Sequence, residues 1–390
     1  MKLLLSLIKW LFGIVIGAPL LAYLLLILFN VNDEGKSDKV IEFEQFLSKR
    51  VVVDDKTNGF VYAAGLSASS GDDFYLAGLE KIKQANRITS SPSTLLVTSE
   101  QDHFNTSKET FNALVGGCGD PLKLDEACNT HLLNRTEEID KFLTDSEELV
   151  QRYEIMTNQS HWYESIQANV HNSLSILPWS VGHKIFMLNV WREATKGNVN
   201  TVSQLLQQDS VFWRNAILST HSLLNYTMTT ILMEQNYRWG SFALKNFSAN
   251  DIAQAMPSDW HRSLIEPPFT FENIVMGEWQ FASYLFQEMY DSDEWGSVIF
   301  KPIFNLQSTL NLNAEVLIER SHSKQDNVES SIYMNNCQQE LSLSMLAWYS
   351  YNPFGKMFVC AWTPNLKAYQ NNIKKAEEVR LAVQAAQQVN

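Results

Sequence analysis

The stretch Trp10–Phe29, WLFGIVIGAPLLAYLLLILF, limits the possible folds more than any other. It runs for 20 residues without a charge and is dominated by Leu, Ile, Ala and Phe. At about 1.5 Å per residue a helix of that length spans about 30 Å, the hydrocarbon thickness of a bilayer. A cleavable signal peptide has an apolar core of about 7–15 residues followed by a small-x-small site. Here the run is longer, and Ile27-Leu28-Phe29-Asn30-Val31 offers no Ala-x-Ala; Ala18 and Ala22 lie inside the run. The segment reads as an uncleaved signal-anchor. Lys2 and Lys9 precede it and Asp33 and Glu34 follow it, so the positive-inside rule expects residues 1–9 in the cytoplasm and the bulk of the chain outside. Gly17 and Pro19 predict a kink within the span.

Two further apolar windows fail as spans. Leu341–Trp362 holds Asn352, Pro353, Gly355 and Lys356 in its middle and predicts two buried segments around a turn. Ser173–Trp191 carries His183 and Lys184. Either set of polar groups is costly in hydrocarbon. The remaining roughly 355 residues suffice for one large helical domain or two ordinary ones. A 45% hydrophobic and 12% aromatic content is too apolar for disorder. The net charge of −13 repels phosphate backbones and argues against nucleic acid as a partner.

The four cysteines fall in two local pairs, Cys118 with Cys128 and Cys337 with Cys360. There is no Cys-x-x-Cys and no zinc-type spacing to histidines. Outside the cytoplasm two sequential disulfides are the natural reading, with four core thiols as the alternative.

Along the chain, residues 30–120 read as a mixed juxtamembrane region and 121–390 as a helical domain. Val40–Val53 predicts a short amphipathic helix, and Gly59–Ser70 an extended or tightly packed segment. Asp72–Ala85 predicts a helix with Phe74, Leu76, Leu79 and Ile82 on one face, and Arg87–Lys108 irregular structure. Glu137–Tyr153 predicts a helix with Thr136 as N-cap. His183–Ala194, closed by Lys196-Gly197, is followed by a helical stretch from Val199 through Ser210–Tyr237 with Trp213, Ile217, Leu224, Met228 and Ile231 as its stripe. Helix, Gly and helix, with Ala194 before the turn and Leu205-Leu206 after it, resemble a tetratricopeptide-type hairpin, although no fixed repeat period supports a solenoid. Further helices are expected at Asn273–Tyr290, Leu306–Glu319, Val328–Ser350 and Leu366–Gln388. The expected fold is mainly α: a transmembrane helix followed by an irregular all-α extracytoplasmic domain.

Several short features resemble uncharacterised single-pass envelope proteins of Gram-negative bacteria. They are the single N-terminal span, Asn58-Gly59-Phe60-Val61-Tyr62 with Gly65-Leu66, and Cys118/Cys128 ahead of Leu149 and Arg152-Tyr153. Phe212-Trp213-Arg214 and Asn352-Pro353-Phe354-Gly355-Lys356 complete the set. The resemblance implies a location and brings no activity or site residue with it.

The chain lacks the phosphate-loop, dinucleotide, zinc-protease and EF-hand signatures, and no catalytic, cofactor-binding or metal-ligating residue is assigned from it. Gly65-Leu66-Ser67-Ala68-Ser69 approaches a nucleophile elbow without the second glycine that its turn needs. Ser321-His322-Ser323-Lys324 supplies Ser-x-x-Lys without companion motifs, and reads as a polar helix end. Asp291-Ser292-Asp293 is the pattern that holds a divalent ion against a sugar nucleotide, but it follows a helix and reads as a solvated terminus. His161 and His171 do not share a helical face, and His261 lies before a proline break where it can line a cleft. The sequons at Asn105, Asn134, Asn158, Asn225 and Asn246 matter only in a glycosylating host.

The functional expectation is a bitopic inner-membrane protein that contacts the bilayer through residues 10–29. Its periplasmic helical domain binds or scaffolds an envelope protein or cell-wall component, with no cofactor. The alternative is an extracytoplasmic hydrolase or transferase whose site is assembled from distant residues; a eukaryotic luminal transferase built around Asp291 is a weaker third.

Overall fold

A computed structural model describes residues 13–87, 100–119, 122–166, 175–265, 271–292, 295–322, 337 and 343–388. In chain order α1 is Ala18–Phe29, α2 Asp38–Ser48, α3 Gly59–Gly65, α4 Phe74–Arg87 and α5 Glu100–Val115. Next come α6 (Glu126–Leu133), α7 (Thr136–Asp145), α8 (Glu147–Thr157), α9 (Leu177–Thr195) and α10 (Val199–Ser219). Then follow α11 (Leu223–Leu244), α12 (Ala249–Ala255), α13 (Glu272–Asp291) and α14 (Trp295–Phe300). The last are α15 (Leu306–His322), α16 (Leu343–Trp348), α17 (Pro353–Trp362) and α18 (Leu366–Gln388). Among the described residues there is no strand; an isolated bridge joins Asn58 to His161. The mainly α expectation holds.

The chain divides into two compact units. The first comprises Met1–Arg50 and Val275–Lys367, the second Val51–Ile274 and Ala368–Asn390.

In the first unit a π-helical turn, Gly13–Gly17, leads into α1. Pro19 explains the widened turn, because it has no N–H to offer the Val15 carbonyl. No residue of either segment is buried. Among the described residues no helix is long and apolar enough to cross a membrane. The polar connector after α1 is tightly held. Asn30, 4% exposed, donates to the Leu26 and Ser350 carbonyls at 2.7 and 3.0 Å and accepts from the Asn352 amide at 2.5 Å. Asp33 accepts from the Gln307 and Ser308 amides at 2.8 and 2.9 Å, and so caps α15 from outside its own sequence. The unit's core is phenylalanine-rich: Phe286 and Phe304 with Val316 and Val359, flanked by Phe354 and Phe358. The turn expected inside Leu341–Trp362 falls at Asn352, whose φ of 46° is left-handed and whose side chain caps α17 through the Gly355 amide. Short polar side chains tolerate that conformation best. The two segments beside the turn are less buried than expected, with Leu346, Met357 and Trp362 about half exposed.

The second unit is built around α9. Apolar side chains occupy its whole circumference, the pattern of a helix enclosed on all sides, and α5, α8, α10 and α11 pack on it. Trp179, Trp191, Trp213 and Trp260 are all fully buried here. Gly197, at φ +80°, turns α9 into α10, so the expected helix-turn-helix is present. The stretch beyond α10 is not one helix. The Glu164 carboxylate accepts from the Thr220 hydroxyl and from the His221 and Ser222 amides. It thereby pins the link between the two helices, the Ser222 side chain caps α11 by accepting from the Asn225 amide, and the chain restarts there in a new phase. Trp213, Ile217 and Met228 of the expected stripe are buried, while Leu224 and Ile231 are 47% and 39% exposed.

Three other differences are local. Gly59–Ser70 begins as helix α3, capped by the Asn58 side chain, and its small residues do serve close packing. A Cβ on Gly65 would lie 1.7 Å from the Phe74 carbonyl oxygen, and one on Gly78 2.0 Å from that of Val61. The 137–153 helix is broken at Ser146 into α7 and α8, and Thr136 lies inside α7 rather than capping it. The end of the stretch expected to be irregular is α5; residues 88–99 lie outside the described set.

Candidate functional site

The densest polar constellation lies inside the second unit. Asp209 on α10 is fully buried. One carboxylate oxygen accepts from the Tyr153 hydroxyl at 2.7 Å and Trp213 Nε1 at 3.0 Å. The other accepts from Asn236 Nδ2 at 2.8 Å and His183 Nε2 at 3.2 Å. His183 Nδ1 meets no partner, so the network calls for the tautomer protonated at Nε2. Burial, reinforced by the Asp209 charge, pushes the Tyr153 phenol well above its ordinary pKa, and its proton therefore stays in the bond to Asp209. Trp260 closes the cluster by donating to Asn236 at 2.8 Å.

These are the residue types of general acid-base catalysis, but Tyr153, His183, Asp209 and Asn236 all have zero exposure. A substrate atom reaches them only if the core opens. Buried hydrogen-bonded networks of this kind fix one packing arrangement. Two ion pairs extend the pattern. Arg214 grips Asp259 through Nε at 2.8 and 2.9 Å. Arg380 holds Glu377 at 2.6 and 2.8 Å. Burial alone would raise the Glu377 carboxyl, yet Arg380, the Leu264 amide and Ser263 outweigh it and leave it low.

The residues singled out from sequence are scattered. Cys118 is bonded to Cys128 and Cys337 to Cys360. Asp291 ends α13 and accepts from Gln287; Asp293 lies outside the described residues, as do His171, Ser323 and Lys324. His161 serves through its backbone, its carbonyl accepting from the Gly59 amide. His261 is exposed and meets Gln384 at 3.1 Å. Ser67 is the exception: Lys81 Nζ, fourteen residues on, lies 2.5 Å from its Oγ. Among the described residues no group of His, Cys, Asp or Glu is arranged to hold a metal ion.

Sequence reasoning missed the Asp209 cluster. Its signal was present as single polar residues on apolar helix faces, each of which alone reads as an interruption.

The first unit adds apolar surfaces to the Asn30–Asn352 cluster already described. Ile14, Val15, Leu20, Leu21, Leu28 and Phe29 are each about half exposed or more. Beside α14 lies a cavity of about 200 Å³ lined by Met289, Tyr290, Gly296, Phe300, Lys301 and Phe354 among others. Lys301 Nζ sits 5.1 Å from the centre of the Tyr290 ring. Comparison with known protein families, curated proteins and solved structures finds no match to this chain.

Proposed function

We propose that this chain is a single-pass membrane protein of the Gram-negative envelope type. Trp10–Phe29 crosses the inner membrane, residues 1–9 stay in the cytoplasm, and the helical remainder works in the periplasm. There it holds a protein or cell-wall partner close to the membrane. One observation carries the reading: from Gly13 to Phe29 the chain is helical, uncharged and without a buried residue. Leaving that much apolar surface in water is unfavourable by roughly 25 cal/mol per Å², and a bilayer removes the penalty. The lysines before the segment, the acids after it and two disulfides support the outside placement of the bulk. The tetratricopeptide-like α9–α10 hairpin supports a binding role by fold-level analogy.

Reporter fusions at the C-terminus test this. Alkaline phosphatase should be active and green fluorescent protein dark, with the protein resisting carbonate extraction. A fluorescent cytosolic fusion overturns the reading.

The Ser67–Lys81 contact favours a second reading, an extracytoplasmic serine hydrolase with Ser67 as the nucleophile and Lys81 beside it. Labelling of the native protein by a fluorophosphonate, abolished in Ser67→Ala, would establish it in place of the binding role. Absence of labelling removes it.

A further inference from the structure

The first unit carries its own apolar surface, and hydrogen bonds tie it to the proposed anchor. Tyr23 lies in α1, six residues and therefore about 9 Å before its end at Phe29. Its hydroxyl donates to the Ile299 carbonyl of α14 at 2.6 Å. The surroundings of α1 at the level of Tyr23 are therefore also those of α14. Ile299 and Phe300 are 49% and 39% exposed there, on a six-residue helix, Trp295–Phe300, without a charge. Phe300 also walls the cavity described above and stacks on Phe354, with ring centres 4.2 Å apart. The exposed rod and the exposed Ile299 and Phe300 are thus joined at Tyr23, and Phe300 reaches from there to the aromatic cavity. Lys301 and Tyr290 line the same cavity. Long cations with apolar stems and amphipathic rings are the groups that settle at the headgroup boundary.

Building on the anchor reading, we infer that α14 lies in the bilayer interface and that the cavity between α13, α14 and α17 takes one acyl chain of a membrane phospholipid. Elements that lie in the interface plane bury their apolar face roughly 5–10 Å into the acyl boundary, the depth at which Tyr23 places α14. The bilayer is the source of the occupant because α14, which walls the cavity through Gly296 and Phe300, is hydrogen-bonded to α1 at Tyr23.

The test uses the full chain in phospholipid nanodiscs doped with a phosphatidylcholine that carries a diazirine on one acyl chain; adducts are mapped by mass spectrometry. Adducts are expected on α1 and on the cavity residues. A Cβ on Gly296 meets no atom within 4 Å, so Gly296→Trp should fill the space, lowering cavity adducts at least tenfold and leaving those on α1 unchanged. Ile299→Asp, at an exposed position that keeps the core intact, should lower them as well. Adducts on α1 alone overturn this inference and leave the anchor standing. Adducts on neither overturn both. Cavity adducts indifferent to both substitutions mark surface contact and overturn the lipid-chain site.

Discussion

The two units handle polarity in opposite ways. The second encloses carboxylates, guanidinium groups and an imidazole, each answered by a partner, around a tryptophan core. The first buries asparagines such as Asn30, Asn305 and Asn352 in place of charges, and concentrates exposed leucine, isoleucine and valine on one segment, Ile14–Phe29. Under the proposed anchoring, the contrast corresponds to two surroundings, with the apolar rod of the first unit facing lipid.

The comparison can be broken most sharply at Asp209. Asp209→Ala removes an acceptor from four buried donors, of which Trp213 keeps the Tyr153 hydroxyl, and should destabilise the protein by about 4 kcal/mol, a fall in melting temperature of roughly 10 °C. Hydrogen exchange should rise across α9 to α11; an unchanged melting curve would mean that the cluster holds nothing. Removing the Cys118–Cys128 bond by paired serine substitution comes next. Its closed loop, a sequence separation of 10, corresponds to about 2.7 kcal/mol by loop-closure entropy, and chemical denaturation would measure the loss. In the first unit Asn30→Ala should cost about 2 kcal/mol, read as faster exchange at the starts of α15 and α17.

The smallest effect is the response to acid. Hydrogen bonds from Arg192, at 2.6 and 2.7 Å, hold the Asp140 carboxyl below its ordinary range. A lowered folded-state pKa stabilises fully above the unfolded value of about 3.9, and that contribution disappears as pH falls through the folded value. The stability gap between the wild type and Asp140→Asn should therefore stay constant from pH 7 to pH 5 and close below about pH 4. A gap that persists at pH 2 contradicts the pairing.

Much of the architecture was readable from periodicity. The α18 boundaries, the Gly197 turn and the tight packing near Gly65 follow from local rules that the chain obeys. The break at Thr220 did not follow, because the group that holds the link between α10 and α11 is Glu164, more than fifty residues away in sequence. The Asp209 cluster was hidden for the same reason: Tyr153, His183, Asp209 and Asn236 come from four helices, and no spacing rule joins them. Leu224 and Ile231 looked like core until the restart at Ser222 rotated them outward.

The Asn30–Ser37 connector has a mechanical consequence. With Asn30 fastened to the Asn352 turn and Asp33 to the head of α15, the stalk has no swivel. Twisting α1 would turn the whole first unit with it, so whatever grips that stem from the side also sets the compass heading of the body it carries.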